Sequence, residues 1–422
     1  MNVLIISDAY PPEIRSAAVL MSELARGLCE RGHTVSVLTC YPQYNLTAED
    51  RRRFADQRAN FDLMEEGVRV IRAPAKDIHN CGPIRRGISF VKLPLIISRA
   101  AKVLKNIEAI IHYSPPLTLG LAAVWLKKRF NAAYIMNVQD LFPQNAIDLG
   151  ILRNRAAIAL FRHIESYCYR NADWITCHSQ GNAAYLRRQM SNGQMVSVVH
   201  NWVELTDYQV SASPVPREEL GLKNKFVLFF AGVMGFAQDL GTVIECARCL
   251  QGYPDIAFLL VGDGVEKDKL LAQAKGLDNV HFHPFIGAKD YPAWLASADV
   301  GLVTLQKSMK TPVVPSKILG YMAAGKAWIA SVNPQSDATV IARQGHCGLL
   351  CKPGDPQDMA RTVLKLYNDR DLLSQLGQNG RHYCLSHFGK SHCLDRYQTI
   401  LSELKARRKI QHNPKFAISL FA

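Results

Sequence analysis

Residues 311–326 read Thr311-Pro312-Val313-Val314-Pro315-Ser316-Lys317-Ile318-Leu319-Gly320-Tyr321-Met322-Ala323-Ala324-Gly325-Lys326, a loop that opens a helix with a cation in its first turn. Pro315 cannot extend a helix backwards and Ser316 is a favoured N-cap. The unpaired N–H groups of the first turn, the helix dipole and Lys317 would then face one point. Such a point suits an anion, and a diphosphate would fit it. A capped helix under a hydrophobic strand is the plainer reading of the same residues. The surroundings of this segment along the chain decide between the two.

On both sides of it, short Val- and Ile-rich runs alternate with longer helical patterns, the signature of a parallel sheet with crossover helices. Strands are predicted at 226–231, 256–261, 280–284, 300–305, 328–331 and 348–351, and further upstream at 3–7, 34–38, 68–72, 109–113, 134–138, 174–178 and 196–199. Leu20, Leu24 and Leu28 share one face of a helix over 16–31 that Gly32 ends. Polar, proline-bearing sequence near 202–222 reads as a linker. The fold class is therefore α/β, with two doubly wound parallel-sheet, Rossmann-like domains. Residues 1–203 form the first and 204–388 the second, and 389–422 supply a basic helix and tail able to dock back on the first. A ligand belongs in the cleft, at the carboxyl ends of both sets of strands.

Four loops at strand ends in the second domain outline a phosphate pocket: Gly232-Val233-Met234-Gly235, Gly262-Asp263-Gly264, Phe285-Ile286-Gly287 and Pro315-Ser316-Lys317. Small residues there let backbone approach a phosphate, although strand-to-helix turns call for glycine in any case.

At 422 residues the chain exceeds one ordinary core, which agrees with two domains. Its net charge of +14 is uneven, since residues 1–200 carry 25 Lys/Arg against 16 Asp/Glu. That excess suits an anionic membrane face or a phosphorylated ligand; without zinc-finger spacing, an RNA-recognition signature or an Arg-rich arm, no nucleic-acid partner is expected. Eleven scattered cysteines fit a reducing compartment, and Cys246 and Cys249 read as small residues on a buried helix face. The start of the chain lacks the marks of a signal peptide, which points to the cytoplasm. Arg85, Arg86, Lys92, Arg99, Lys102 and Lys105 interleave with Phe90, Leu93, Leu95, Ile96, Ile97 and Leu104. Two readings stay open for this stretch: a helix with its apolar face in the core, or a surface lying on an anionic bilayer.

The motifs Ser7-Asp8-Ala9-Tyr10-Pro11-Pro12-Glu13, Asn137-Val138-Gln139-Asp140-Leu141-Phe142-Pro143, Val314-Pro315-Ser316-Lys317 and Gly345-His346-Cys347-Gly348-Leu349-Leu350 resemble those of the two-domain GT-B glycosyltransferases of family four, over nearly the whole chain. Within that family it is similar to the branch that builds bacterial surface polysaccharides, and there to transferases that add fucose or N-acetylfucosamine to a lipid-linked oligosaccharide. The resemblance implies a nucleoside diphosphate sugar as donor, a polyprenyl diphosphate-linked saccharide as acceptor, and peripheral attachment to the inner face of the cell membrane. It also implies retention of configuration, without a metal or other cofactor. Gly235 and Gln238 would lie near the diphosphate, Gly262 beside them and Phe285 and Ile286 beside the base. Pro315, Ser316 and Lys317 would neutralise the leaving phosphates, Lys317 as an exposed loop cation. Two glutamates common in the family fall here on Pro312 and Gly320, and its usual His before Asp140 is Gln139, which cannot shuttle a proton. Acid or base work falls on Asp140, or on Glu13 in the first loop. Asp140 is also placed to cap a helix or a turn. A nucleotide-sugar epimerase of the same fold, or a sugar- or nucleotide-binding protein without catalysis, remain alternatives.

Overall fold

The apolar runs assemble into two sheets in the computed structural model, which describes residues 1–13, 15–44, 46–56, 59–75, 83–190, 194–208, 215, 217–287 and 289–412. The first sheet comprises β1 (Asn2–Ile6), β2 (Thr34–Cys40), β3 (Asp62–Glu65), β4 (Val68–Ala73), β5 (Ala109–Ser114), β6 (Ala133–Val138), β7 (Trp174–Cys177) and β8 (Val196–Val198). Their order is 3-4-2-1-5-6-7-8. All neighbours are parallel except β3 and β4, an antiparallel hairpin turning through Glu66 and Gly67, both at positive φ. The second sheet comprises β9 (Phe226–Ala231), β10 (Ile256–Val261), β11 (Val280–His283), β12 (Val300–Thr304), β13 (Ala327–Ser331) and β14 (Gly348–Cys351), in the order 11-10-9-12-13-14, parallel throughout.

Each sheet is covered on both faces, which is why its strands read as unbroken apolar runs. In the first sheet Leu4, Ile6, Leu38 and Ile110 pack towards Leu93, Ile97 and Leu119, while Val3, Ile5 and Val37 pack towards Leu20, Leu24 and Leu28. The helix Ser16–Glu30 ends at Arg31, with Gly32 at φ 81°. In the second sheet Val227, Phe229 and Ala231 point one way and Leu228 and Phe230 the other. One side of the 246–249 pair departs from expectation: Cys246 is buried, but Cys249, the last residue of the helix Leu240–Cys249, is exposed.

The last helix, Lys390–His412, closes the first domain. Leu394, Tyr397, Ile400, Leu401 and Leu404 share a core with Leu24 and Leu28. Arg31 pairs with Asp395 at 2.7 Å, the Tyr397 hydroxyl bonds Asn137, and a Cβ on Gly27 would lie 2.4 Å from Leu394. The chain thus crosses between domains twice. The crossings touch where the Val203 N–H donates to the Phe388 carbonyl (3.1 Å) and Val203 bridges Gly389.

Both sheets reverse strand order at their first strand, between β1 and β5 and between β9 and β12. Such switch points open a crevice at the carboxyl ends of the strands, and the loops quoted above issue from there.

Candidate active site

On the second domain the loops after β9, β10 and β11 continue the sheet's hydrogen bonding past its end: Gly232 N–H donates to the Val261 carbonyl, Gly262 N–H to that of His283 and Met234 N–H to that of Asp263. They stack so closely that side chains have no room. A Cβ on Gly262, at φ 142°, would lie 1.9 Å from the Gly232 oxygen.

Lys317 reaches across this stack. Its Nζ stands 3.2 Å from Gln238 Oε1 and 4.7 Å from the centre of the Phe230 ring. Its Cε would sit 3.0 Å from a Cβ on Gly232, so that glycine's missing side chain is the space Lys317 occupies. Lys317 is not the exposed loop cation that the sequence predicts: it is half-buried, and burial lowers its pKa to about 8. A cation held with only a neutral amide and a ring beside it is poised for an anion. Two further expectations change. Ser316 occupies the cap position of the helix Lys317–Ala323, but it is itself helical and its hydroxyl caps nothing. The first turn also keeps fewer free donors than supposed, since Ile318 N–H bonds the Pro315 carbonyl and Leu319 N–H that of Ser316. What suits this point to an anion is the charge on Lys317 more than the helix start.

Of the remaining residues, Gly235 borders open space, Phe285 is exposed, Ile286 and Pro315 are half-buried and Ser316 is exposed. The structure joins Gly232, Gln238, Gly262 and Lys317 into one site, with Phe285 and Ile286 on the adjoining loop after β11. Gly320 backs onto Tyr291, whose ring a Cβ there would meet at 3.0 Å; no larger side chain fits without displacing that ring.

On the first domain Asp140 ends the run of β6, and no hydrogen bond or ion pair engages its carboxylate among the described residues. It is exposed, yet protein surrounds it closely enough that burial raises its pKa, as expected for a group opening only into a crevice. Tyr113, at the end of β5, is pushed up by burial and then by the Asp140 and Asp8 charges, which places these groups together. Glu13 is committed otherwise. It is 5 % exposed, its Oε1 accepts from the N–H groups of Gln43 and Tyr44 at 2.8 and 3.0 Å, and Oε2 stands 3.7 Å from Arg15 Nε. It anchors the loop after β2, and acting as acid or base would require giving up those bonds. Arg15 also pairs with Asp8 at 2.9 Å. Burial pulls on its charge, but Asp8 and Glu13 outweigh that and hold it protonated. Arg15 and Tyr113 were not singled out from the sequence; the signal for Arg15 was a cation two residues after Glu13 in a strand-end loop. Gln139, buried beside Asp140, bonds Asn137 Oδ1 and Asn201 Nδ2, so it braces the end of β6.

The domains meet beside this crevice. Asp337 Oδ1 accepts from the Gly181 N–H at 3.0 Å, at the start of the helix Gln180–Gln189, and Asp148 Oδ2 accepts from the Lys310 N–H at 3.2 Å.

In the basic stretch, Leu93, Ile97 and Leu104 are buried, Phe90 and Ile96 partly so, and Leu95 is exposed with Val91, Lys92, Arg99, Lys102 and Lys105. The side chains of Arg85 and Arg86 lie outside the described residues. No helix among the described residues is long and apolar enough to cross a membrane.

Residues 214–383 match the model for glycosyl transferases group 1, and residues 17–202 match a glycosyl transferase 4-like domain. The chain is 24% identical to a probable glycosyltransferase, WbjE, of Pseudomonas aeruginosa, over 72% of this chain and 76% of that one. It is 27% identical to a putative colanic acid biosynthesis glycosyl transferase, WcaI, of Escherichia coli K12, over 77% and 82%. Among solved structures, HepE of Anabaena in complex with UDP and glucose superposes with a TM-score of 0.69 at 16% identity, covering 95% of this chain and 99% of that one.

Proposed function

Since the chain belongs to the group 1 glycosyl transferases and has their GT-B fold, we propose that it moves a sugar from a nucleoside diphosphate sugar to a lipid-linked saccharide during assembly of a bacterial surface polysaccharide. The observation that carries this reading is Lys317 laid over the glycine stack, 3.2 Å from Gln238, at the carboxyl ends of the second sheet's strands. Breaking the bond between sugar and phosphate leaves negative charge on the diphosphate. A cation fixed there in advance stabilises that charge most as it develops, lowering the barrier rather than merely tightening binding. In this scheme Lys317 supplies the positive charge and no metal or other cofactor takes part. Gln238, Gly235 and Gly262 line the phosphates, Pro315 and Ser316 shape the loop beneath them, and Phe285 and Ile286 take the base. Asp140, with its raised pKa, accepts the proton of the incoming hydroxyl. The sugar is L-fucose or N-acetyl-L-fucosamine and is transferred with retention.

The acceptor's polyprenyl tail keeps it in the bilayer, so the enzyme works at the inner face of the cell membrane. Val91 and Leu95 beside Lys92, Arg99 and Lys102 support peripheral attachment, each cation near an anionic surface adding about 1 kcal/mol. Vesicle pelleting at low salt, with release at about 0.5 M salt where charges are screened within roughly 4 Å, tests this.

A thermal-shift screen against nucleoside diphosphates and their sugars tests the core of the reading, because a ligand confined to the folded state raises the melting temperature with concentration. One base is expected to stabilise the wild type and not Lys317→Ala. Donor turned over without any acceptor would identify an epimerase instead, and the absence of a shift with every nucleotide refutes the assignment.

A further inference from the structure

A second cavity, sharing no residue with the donor loops, lies at the outer edge of the first sheet. It measures about 300 Å³ and is lined by Gln180 and Arg187, by the β8 edge and His200, and by His392, Cys393 and Arg396 of the last helix. From these surroundings we infer a binding site for a small phosphate-bearing molecule.

The charge pattern points to an anion. Arg187 and Arg396 carry permanent charge into one small cavity, and no carboxylate is among the lining residues. The carboxylates nearby are engaged elsewhere: Asp395 pairs with Arg31 at 2.7 Å, and Asp337, whose charge reaches His200, accepts from the Gly181 N–H at 3.0 Å. Among the described residues Arg187 bonds only the Val196 carbonyl, at 3.1 Å, and no ion pair engages Arg396.

The backbone adds a donor. β8 is the last strand of its sheet, so one side of it is free. Ile175 N–H donates to the Met195 carbonyl and Val199 N–H to that of Cys177, so residues 195, 197 and 199 face β7. By the alternation of a parallel ladder, the Val196 and Val198 groups face outward along the cavity. The Val196 carbonyl is taken by Arg187, whereas the Val198 N–H has no partner within the sheet. Two guanidiniums and an outward N–H match phosphate oxygens, guanidinium being the planar donor suited to them. The volume lies at the lower end of the roughly 300–1,000 Å³ of small-molecule sites, which admits a sugar phosphate or a pyrophosphate rather than a polymer.

Calorimetric titration of the full chain with pyrophosphate, against chloride at matched ionic strength, tests the site. Wild type and Lys317→Ala are both expected to bind pyrophosphate. Arg187→Gln/Arg396→Gln is expected to lose at least tenfold in affinity at this site while keeping nucleotide binding in the crevice. Arg396→Gln alone, an exposed change remote from the core, gives an intermediate loss. Abolition of all pyrophosphate binding by Lys317→Ala, with the double variant behaving as wild type, would overturn the inference. So would an equal response to chloride. A third arm separates soluble phosphates from lipid headgroups: if the double variant loses retention on anionic vesicles but binds pyrophosphate normally, the site is a membrane contact and the inference is wrong. Failure of the donor reading would show instead as loss of nucleotide binding in the crevice, which this site does not require.

Discussion

Gly181→Ala separates domain closure from stability. Gly181 is the second residue of its helix, and a Cβ there would stand 2.7 Å from both the Pro312 Cβ and Asp337 Oδ1 of the other domain. Carbon atoms in contact prefer about 3.5–4.0 Å, so the added methyl must part the junction by about 1 Å. A misplacement of about 1 Å in a reacting assembly costs on the order of a hundredfold in rate, or about 2.7 kcal/mol in the barrier. The helix itself gains from the change, since alanine is favoured over glycine within a helix by up to about 1 kcal/mol. The variant should therefore melt at or above the wild-type temperature yet release nucleoside diphosphate about a hundredfold more slowly with donor and acceptor present. Small-angle scattering should report a larger radius of gyration. Wild-type turnover within twofold, in a variant of normal stability, would refute the claim that this contact sets the closed geometry.

Lys317, with its pKa lowered to about 8 by burial, should give diphosphate affinity that is flat below that pH and falls above it by up to tenfold per unit, as measured by titration calorimetry; Lys317→Met should bind weakly without that slope. For the ligand-free protein the sign runs the other way. The unfolded chain holds this proton up to about 10.5, so stability contributed by this group rises between about pH 8 and 10.5, which denaturant titration across that window checks. Gly262→Ala forces a methyl against the Gly232 oxygen at an unfavourable φ and should cost about 2–4 kcal/mol by urea denaturation, whereas Gly235→Ala, which meets only Val233 at 3.6 Å, should leave stability unchanged. Asp140→Asn should lower kcat by about 10²–10⁴-fold with diphosphate affinity intact, which steady-state kinetics with parallel binding measurements would show.

The parallel strands were legible because both their faces are buried, leaving apolar runs such as Phe226–Ala231 and Ile256–Val261 bounded by glycine. β3 was not, because Asp62-Leu63-Met64-Glu65 is a half-exposed edge strand with acids at both ends. In the site, the glycine loops and Lys317 showed as turn chemistry at strand ends. Burial did not: Lys317 was read as exposed because nothing in the sequence shows that Gly232 leaves a slot for its stem. Glu13 looked free for chemistry because its partners, the N–H groups of residues 43 and 44, belong to another loop. The Gly181–Asp337 contact joins residues 156 apart and leaves no local pattern to read.

The last helix makes the first domain discontinuous in synthesis. Leu20, Leu24 and Leu28 are made early, but Leu394, Tyr397 and Leu401, which cover them, emerge only as the chain nears completion. Until then part of this core, beside the helix Ser16–Glu30, stays uncovered, an aggregation hazard that a nascent chain ordinarily meets with chaperone protection. The second domain, whose strands and helices are contiguous, is free to fold first. A stop codon near residue 388 would therefore harm the half of the molecule farthest from it in sequence, releasing a protein with an intact second domain tethered to an unfinished first one.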